Sequence, residues 1–351
     1  MKEGANSKTG IRLSDRQRIN WLRLIRTENI GPVAFRDLIL FCGSAANAIE
    51  RLPDLNIRGG GSRPVRVSSL DDAERELEAI ENMGARLVGM GEPDYPQQLK
   101  NCEAPPPLVI IKGDANVFRK PPVAIVGSRN ASVVGARFTE KLARDLGDSG
   151  FAIVSGLARG IDAAAHKASM MSGTVAVLAG GLDRPYPPEN LPIYRAIPEN
   201  GGALITEMPM GAEPRARDFP RRNRIIAGLS LGLIVIEAAE RSGSLISADD
   251  VIESLVPLMP DGSILSDLEQ ADLLNQLDEE PAVLQPITTD MERDLMVDAL
   301  GPVPIDVDTL VRHVGISAGS AQLILLELDL AGRLLRYPGN QVALMPQEEH
   351  L

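Results

Sequence analysis

The chain has 351 residues, 36 Lys and Arg against 48 Asp and Glu for a net charge of −12, two Cys and 11 aromatic residues. At roughly 100 to 200 residues per domain this is two or three domains, and 44% hydrophobic with 24% charged residues is ordinary for globular protein, which excludes disorder throughout. Two isolated cysteines, Cys42 and Cys102, allow neither a disulfide framework nor a Cys-rich zinc site, and no uninterrupted 18-residue apolar run marks a membrane span.

From Leu13 to Glu50 apolar residues recur at helical spacing (Ile19, Leu22, Ile25, then Phe35, Leu38, Ile39) around a Gly31-Pro32 turn, with Ser14 placed as a cap. A further glycine turn at Gly43 opens another helix. This predicts a small helical module of sterile-alpha or helix-hairpin-helix type over residues 1–84. A packing or interaction role is preferred there over a backbone nest for DNA phosphate. Beyond Arg58-Gly59-Gly60-Gly61 a charged helix, Ser69 to Met83, leads into strands at Arg86–Gly89 and Leu108–Ile111. Short apolar runs then alternate with amphipathic helices. The strands are expected at 123–126, 152–154, 175–178, 203–205 and 233–236, with helices near 134–149, 161–172, 190–200 and 220–230. Such alternation predicts an α/β fold, a Rossmann-like doubly wound parallel sheet over residues 85–258, with ligands beyond the carboxyl ends of the strands. Residues 259–286 read as an acidic linker. Residues 287–346 carry helices and a small hairpin, the pattern of a winged-helix-like domain.

Charge is uneven along this plan. Residues 119–224 hold 15 basic and 10 acidic side chains, whereas residues 250–351 hold four and 19. The locally basic middle can meet phosphate, although the whole chain is acidic. The first regular strand ends in Gly127-Ser128-Arg129 and runs into a helix, where free NH groups, the helix dipole and a guanidinium would favour an anion. Gly156 and Arg159 repeat the device at the next strand. Neither a dinucleotide fingerprint nor a Walker A loop is present, so no nucleotide cofactor and no metal are expected. Arg215, Phe219, Arg221, Arg222, Asn223 and Arg224 lie at the start of the helix that feeds the last strand, on the same rim. So many guanidinium groups suit several phosphates in a row, and Phe219 is the candidate for stacking a base.

Asp162 and His166 stand four apart on one helix, where a hydrogen bond fixing the helix is preferred over an acid/base pair or half a metal site. Ser128 and Ser155 lack a nucleophile-elbow context, and no HExxH or paired-carboxylate signature appears. The would-be recognition helix of the winged helix, Ser317 to Leu330, contains Glu327 and Asp329 and no Lys or Arg. A major-groove reader should be basic, so this domain is expected to be an interaction module.

Together, Val126-Gly127-Ser128-Arg129, Ser155-Gly156-Leu157-Ala158-Arg159-Gly160-Ile161-Asp162 with Ala165-His166, Gly180-Gly181-Leu182-Asp183 with Tyr186-Pro187, Phe219-Pro220-Arg221-Arg222-Asn223-Arg224-Ile225-Ile226 and Glu237-Ala238 with Ser242-Gly243-Ser244-Leu245-Ile246 resemble the DNA-processing protein A (DprA/Smf) family. The resemblance runs from about Tyr95 to Ser247. It implies a non-enzymatic, homodimeric single-stranded DNA-binding protein that protects DNA entering during natural transformation and loads the RecA recombinase. It places the DNA contacts on the Gly127-Ser128-Arg129 turn and on Arg215 and Phe219 to Arg224. The opening MKEGANSKTGIR lacks the apolar core of a signal peptide, so the cytoplasm is the expected compartment and no membrane partner is expected. About forty residues of the family pattern are missing where Ala248 meets Asp249-Asp250. The alternative is a nucleotide phosphoribohydrolase of the lysine-decarboxylase-like Rossmann group, which needs a Pro-Gly-Gly-x-Gly-Thr-x-x-Glu loop that Ser242-Gly243-Ser244-Leu245 only distantly echoes. A winged-helix regulator is disfavoured by its acidic head.

Overall fold

The computed structural model describes residues 12–102, 104–237, 288–337 and 339–345. The expectations for the stretch after Glu237, including the shortening at Ala248 and the acidic linker, lie outside the described residues. The chain divides into two compact units, one holding the described residues of Met1–Leu13 and Glu74–Gln270, the other those of Ser14–Ala73 and Ala271–Leu351. Within the second unit the helix Ala318–Leu330 packs on the helices Pro32–Cys42 and Ala45–Arg58.

The first unit is built on a seven-stranded sheet in the order β1-β2-β6-β5-β4-β3-β7, with β1 at Arg86–Gly89, β2 at Leu108–Gly113, β3 at Pro122–Gly127, β4 at Ala152–Ser155, β5 at Thr174–Val177, β6 at Ala203–Thr206 and β7 at Leu233–Ile236. The last five are parallel, as expected, and β1 and β2 extend the sheet as antiparallel strands. Helices α5 (Val133–Asp148), α6 (Ile161–Ala168), α7 (Leu191–Glu199) and α8 (Asp218–Leu229) form the crossovers; α4 (Leu70–Asn82) precedes β1. Alternate residues of each strand enter opposite cores, which is why both faces must be apolar. On one side Val126, Val154 and Val177 join Ile225, Ile226 and Leu229 of α8. On the other, Ile125 and Ile153 join Ala143, Ile161 and Ala165 of α5 and α6. Helix α6 is shorter than its periodicity suggests. The Ser169 hydroxyl bonds back to Ala165 O at 2.8 Å, and Gly173, at φ +114°, turns the chain into β5.

The chain runs outward from β3 to β6 and then returns to place β7 beside β3. That reversal puts the topological switch point at the carboxyl ends of β3 and β7, the edge of the sheet near which doubly wound folds bind ligands.

The second unit joins three N-terminal helices, α1 (Asp15–Ile25), α2 (Pro32–Cys42) and α3 (Ala45–Arg58), to a winged helix. Ser14 and Gln17 form a capping box that starts α1, and Trp21 meets Phe35 edge-on at 5.1 Å between ring centroids. The winged helix runs α9 (Asp290–Ala299), β8 (Ile305–Asp306), α10 (Val307–Val314), α11 (Ala318–Leu330), β9 (Leu334–Tyr337) and β10 (Gln341–Leu344), its strands ordered β8-β10-β9. Among the described residues no single helix is long and apolar enough to cross a membrane.

Candidate nucleic-acid interface

Gly127 ends β3 where only glycine fits, since a Cβ there would lie 2.1 Å from Ile236 O and 2.7 Å from Ile161 Cγ1. The turn that follows is held from below: Ser128 N donates to Ile236 O at 3.1 Å, and Ile161 N donates to Ser128 O at 3.2 Å. Gly160, at φ +70°, lets the next loop slide under it, because a Cβ there would sit 2.2 Å from Ser128 O. On top of this arch stands Arg129. It is exposed, forms no ion pair with any described residue, and holds its guanidinium carbon 5.4 Å from the centroid of the Phe219 ring.

Several of the backbone donors at this turn are already engaged by the chain itself. Ser128 N is taken by Ile236 O, and Gly156 N donates to Asp162 Oδ2 at 3.1 Å. The first turn of α5 meets a carboxylate of the chain itself. Ser132 N donates to Glu237 Oε2 at 2.8 Å and the Ser132 hydroxyl donates to Oε1. These bonds hold the Glu237 carboxyl below the usual carboxylate range. Arg129 is the exposed cation at this turn, without a described carboxylate partner.

The arginines of the rim fall into three classes. Arg222 is buried, and its Nη1 donates to Gly156 O at 2.6 Å and to Val177 O at 2.7 Å, tying the ends of β4 and β5 together. Gly156 is glycine for this reason: a Cβ would meet the Arg222 guanidinium at 2.6 Å. Burial pulls the Arg222 pKa down to about 10 against the opposing charge of Asp162, with Arg129 adding to the fall. Asn223 is buried beside it and accepts from Arg222 Nε at 3.3 Å. Arg221, Arg224 and Arg159 are paired with carboxylates of the chain, Arg221 and Arg224 sharing the single charge of Glu207. Arg221 Nε lies 3.0 Å from Glu207 Oε1, Arg224 pairs with Glu207 Oε2 and also donates to Ala104 O at 2.6 Å, and Arg159 pairs with Glu189 at 2.6 Å. Arg129 and Arg215 are exposed without a described carboxylate partner. Asp218, at the start of α8, accepts from the backbone N of Arg215 at 2.8 Å and fixes where that side chain leaves the loop.

Phe219 is half-buried, between the guanidinium groups of Arg129 and Arg222. Sequence reasoning missed its neighbour. Tyr186 is half exposed, with its ring edge-on to Phe219 at 5.9 Å between centroids, and both line a small recess with Gly156, Gly180, Pro214 and Arg222. The signal was present as Tyr186-Pro187, but nothing local says that a residue before α7 meets one in α8. Glu189 and Glu207, which pair with rim arginines, and Glu237, which bonds Ser132, were missed for the same reason.

Asp162 and His166 do not bond to each other. Asp162 accepts from Gly156 N and from Ala158 N, the latter at 3.2 Å; burial raises its pKa against Arg222 and these amides. His166 Nδ1 lies 2.7 Å from Thr174 Oγ1, linking α6 to β5, and burial drives its pKa down to about 3, so it is neutral. The helix is tied by separate bonds at the two residues, two at Asp162 and one at His166. Among the described residues no cluster of three or more His, Cys, Asp or Glu could hold a metal.

The turn glycines and the arginine-aromatic contact of this rim lie within the matched family region. Residues 86–267 match the family described as DNA recombination-mediator protein A, residues 15–79 the DprA-like N-terminal HHH domain, and residues 279–340 the DprA winged helix domain. The chain belongs to the DprA/Smf family. Protein Smf of Escherichia coli is 32% identical over 302 residues, covering 77% of this chain and 80% of that protein. Protein Smf of Synechocystis is 34% identical over 248 residues, 67% of this chain and 62% of that protein, so the match spans less than two thirds of that relative. The X-ray structure of DprA from Streptococcus pneumoniae superposes with a TM-score of 0.53 at 30% identity, over 70% of this chain and 85% of that one. The family's field is DNA processing and recombination.

In this DprA/Smf protein the winged helix does not present a reading head. Helix α11 sends Ala321, Ile324, Leu325 and Leu328 into its own domain's core. It also packs on α2 and α3. Gly59, just past α3, permits this approach, since a Cβ would lie 1.9 Å from Glu327 O. Glu327 is fully buried on α11. Arg293 Nε donates to its Oε2 at 3.0 Å, and Arg58 Nε stands 3.0 Å from its Oε1 as an ion pair. Arg333 Nη1 reaches Gly59 O at 3.1 Å, and Asn29, in the turn before α2, reaches Leu330 O at 3.3 Å. The hairpin turn once weighed as a phosphate nest is thus engaged with the winged helix.

Proposed function

We propose that this protein binds single-stranded DNA along the carboxyl rim of its sheet, protects it and delivers it to the RecA recombinase in transformation or recombination. It does so in the cytoplasm as a non-enzymatic homodimer. The observation that carries this reading is the exposed Arg129 stacked on Phe219 with Tyr186 beside it, Arg215 being a second cation without a described partner. Unpaired guanidinium groups attract consecutive phosphates, and the exposed Tyr186 ring offers a face on which a base of any sequence can stack, a combination that suits a single strand and not a duplex whose bases are already stacked.

The test is titration of labelled oligo-dT and a matched duplex across several salt concentrations. Binding should favour the single strand. Arg129→Ala should flatten the slope of log affinity against log salt by about 0.7, the loss of one phosphate contact, and Arg215→Ala should do the same. Equal affinity for duplex, or unchanged slopes in both variants, defeats the proposal. Release of base from a nucleoside monophosphate would instead favour the phosphoribohydrolase. Recombinase delivery is checked by whether the protein shortens the lag of RecA assembly on strands already coated with a single-strand-binding protein.

A further inference from the structure

We propose that Glu237, the residue after β7, is the positioning residue that sets Arg129 for its polyanion. The inference rests on the reading of the rim as a single-strand DNA surface.

The arch that carries Arg129 spans residues 128–132, and two consecutive residues at the end of β7 hold both its feet. Ile236 O accepts from Ser128 N, and the Glu237 carboxylate accepts from the backbone and hydroxyl of Ser132. Two further features show that this contact is built into the chain. Glu237 adopts φ +55°, a left-handed conformation that residues with side chains rarely take, and so turns its carboxylate back onto the first turn of α5. Gly135, inside α5, is the second. A Cβ there would lie 2.4 Å from the Glu237 carboxyl carbon, so a glycine that helix propensity disfavours leaves room for the carboxylate. Ser132, N-cap of α5, accepts from Gly135 N at 2.9 Å while bonded to Glu237, so one side chain locks the helix start and the arch together.

The electrostatic consequence is distinctive. A helix N-terminus attracts anions, and Glu237 places a carboxylate of the chain itself at the N-cap of α5, beside the arch on which Arg129 stands. Simple charge repulsion says that deleting a carboxylate beside a polyanion site should tighten binding. Positioning says the reverse.

The test measures oligo-dT affinity and its salt slope for Glu237→Ala, Glu237→Gln, Gly135→Ala, Arg129→Ala and the Glu237→Ala, Arg129→Ala pair, with thermal melts to confirm folding. Glu237→Ala and Gly135→Ala should each weaken binding, by about tenfold for a charge-assisted contact, and flatten the slope as Arg129→Ala does. Glu237→Gln keeps an acceptor for Ser132 and should stay within about twofold of the wild type. In the Arg129→Ala background Glu237→Ala should cost nothing more, because the two act as one unit. Tighter binding by Glu237→Ala, or a loss that adds in full to that of Arg129→Ala, overturns the proposal. Amide hydrogen exchange across residues 128–136 of the free protein supplies a DNA-independent readout. It should quicken in Glu237→Ala and remain slow in Glu237→Gln, and no change in Glu237→Ala overturns the positioning role. A wild type that fails to bind oligo-dT would sink the single-strand reading, while the exchange data still decide whether Glu237 holds the arch.

Discussion

Two surfaces of this protein have the topology of nucleic-acid readers, and they are finished in opposite ways. At the rim of the sheet Arg129 and Arg215 stand in solvent, with an aromatic pair beside Arg129. Along the recognition helix of the winged domain nine of thirteen residues are buried, its glutamate held by Arg58 and Arg293. A fold that can read DNA does so only where its groups are not already engaged by the same chain. The rim repeats the lesson on a smaller scale, since the stretch Arg221-Arg222-Asn223-Arg224 is engaged by Glu207 and by the carbonyls of Gly156 and Val177.

The sharpest way to break the contrast is within the rim. Arg222→Ala should remove about 3 kcal/mol or more of stability, because it leaves two strand-end carbonyls and Asp162 buried without their counter-charge; denaturant unfolding measures it. Loss of DNA binding without loss of stability would make Arg222 a DNA contact after all. Glu327→Ala tests the other surface. It should destabilise by about 2 kcal/mol, since Arg58 is partly in solvent and relieves part of the cost, while oligo-dT affinity stays that of the wild type. A gain or loss of DNA binding in that variant would show that the winged helix takes part. The smallest effect is expected for the Arg159→Ala, Glu189→Ala double variant. That exposed pair contributes about 0 to 1 kcal/mol to stability, and removing both charges together leaves the net local charge unchanged, so oligo-dT affinity should shift less than about twofold.

Legibility followed the range of the interactions. The strands at 123–126, 152–154 and 233–236 were readable because a strand covered on both faces is apolar at every position. The caps at Ser14 and the turn at Gly127 were readable because a local bond or a missing Cβ dictates the residue type. The state of each arginine was not. Arg129 and Arg222 look alike in sequence, yet one faces water and the other spans two strand ends, a difference set by Gly156 and Val177, which lie 66 and 45 residues away from Arg222. Tyr186 escaped notice because its partner Phe219 comes from another crossover.

The sequence by itself determined the class of fold, the family and the rim on which chemistry could occur, since hydrophobic period, turn glycines and the clustering of arginines are all local properties. Tertiary structure alone decided which cations remain available and which helix is hidden. Those outcomes depend on carboxylates and carbonyls far apart in the chain, such as Glu237 on Ser132, Glu207 on Arg224 and Glu327 between Arg58 and Arg293. A guanidinium binds whichever acceptor folding brings within about 3 Å, and only the packed molecule says whether that acceptor belongs to the protein or to DNA.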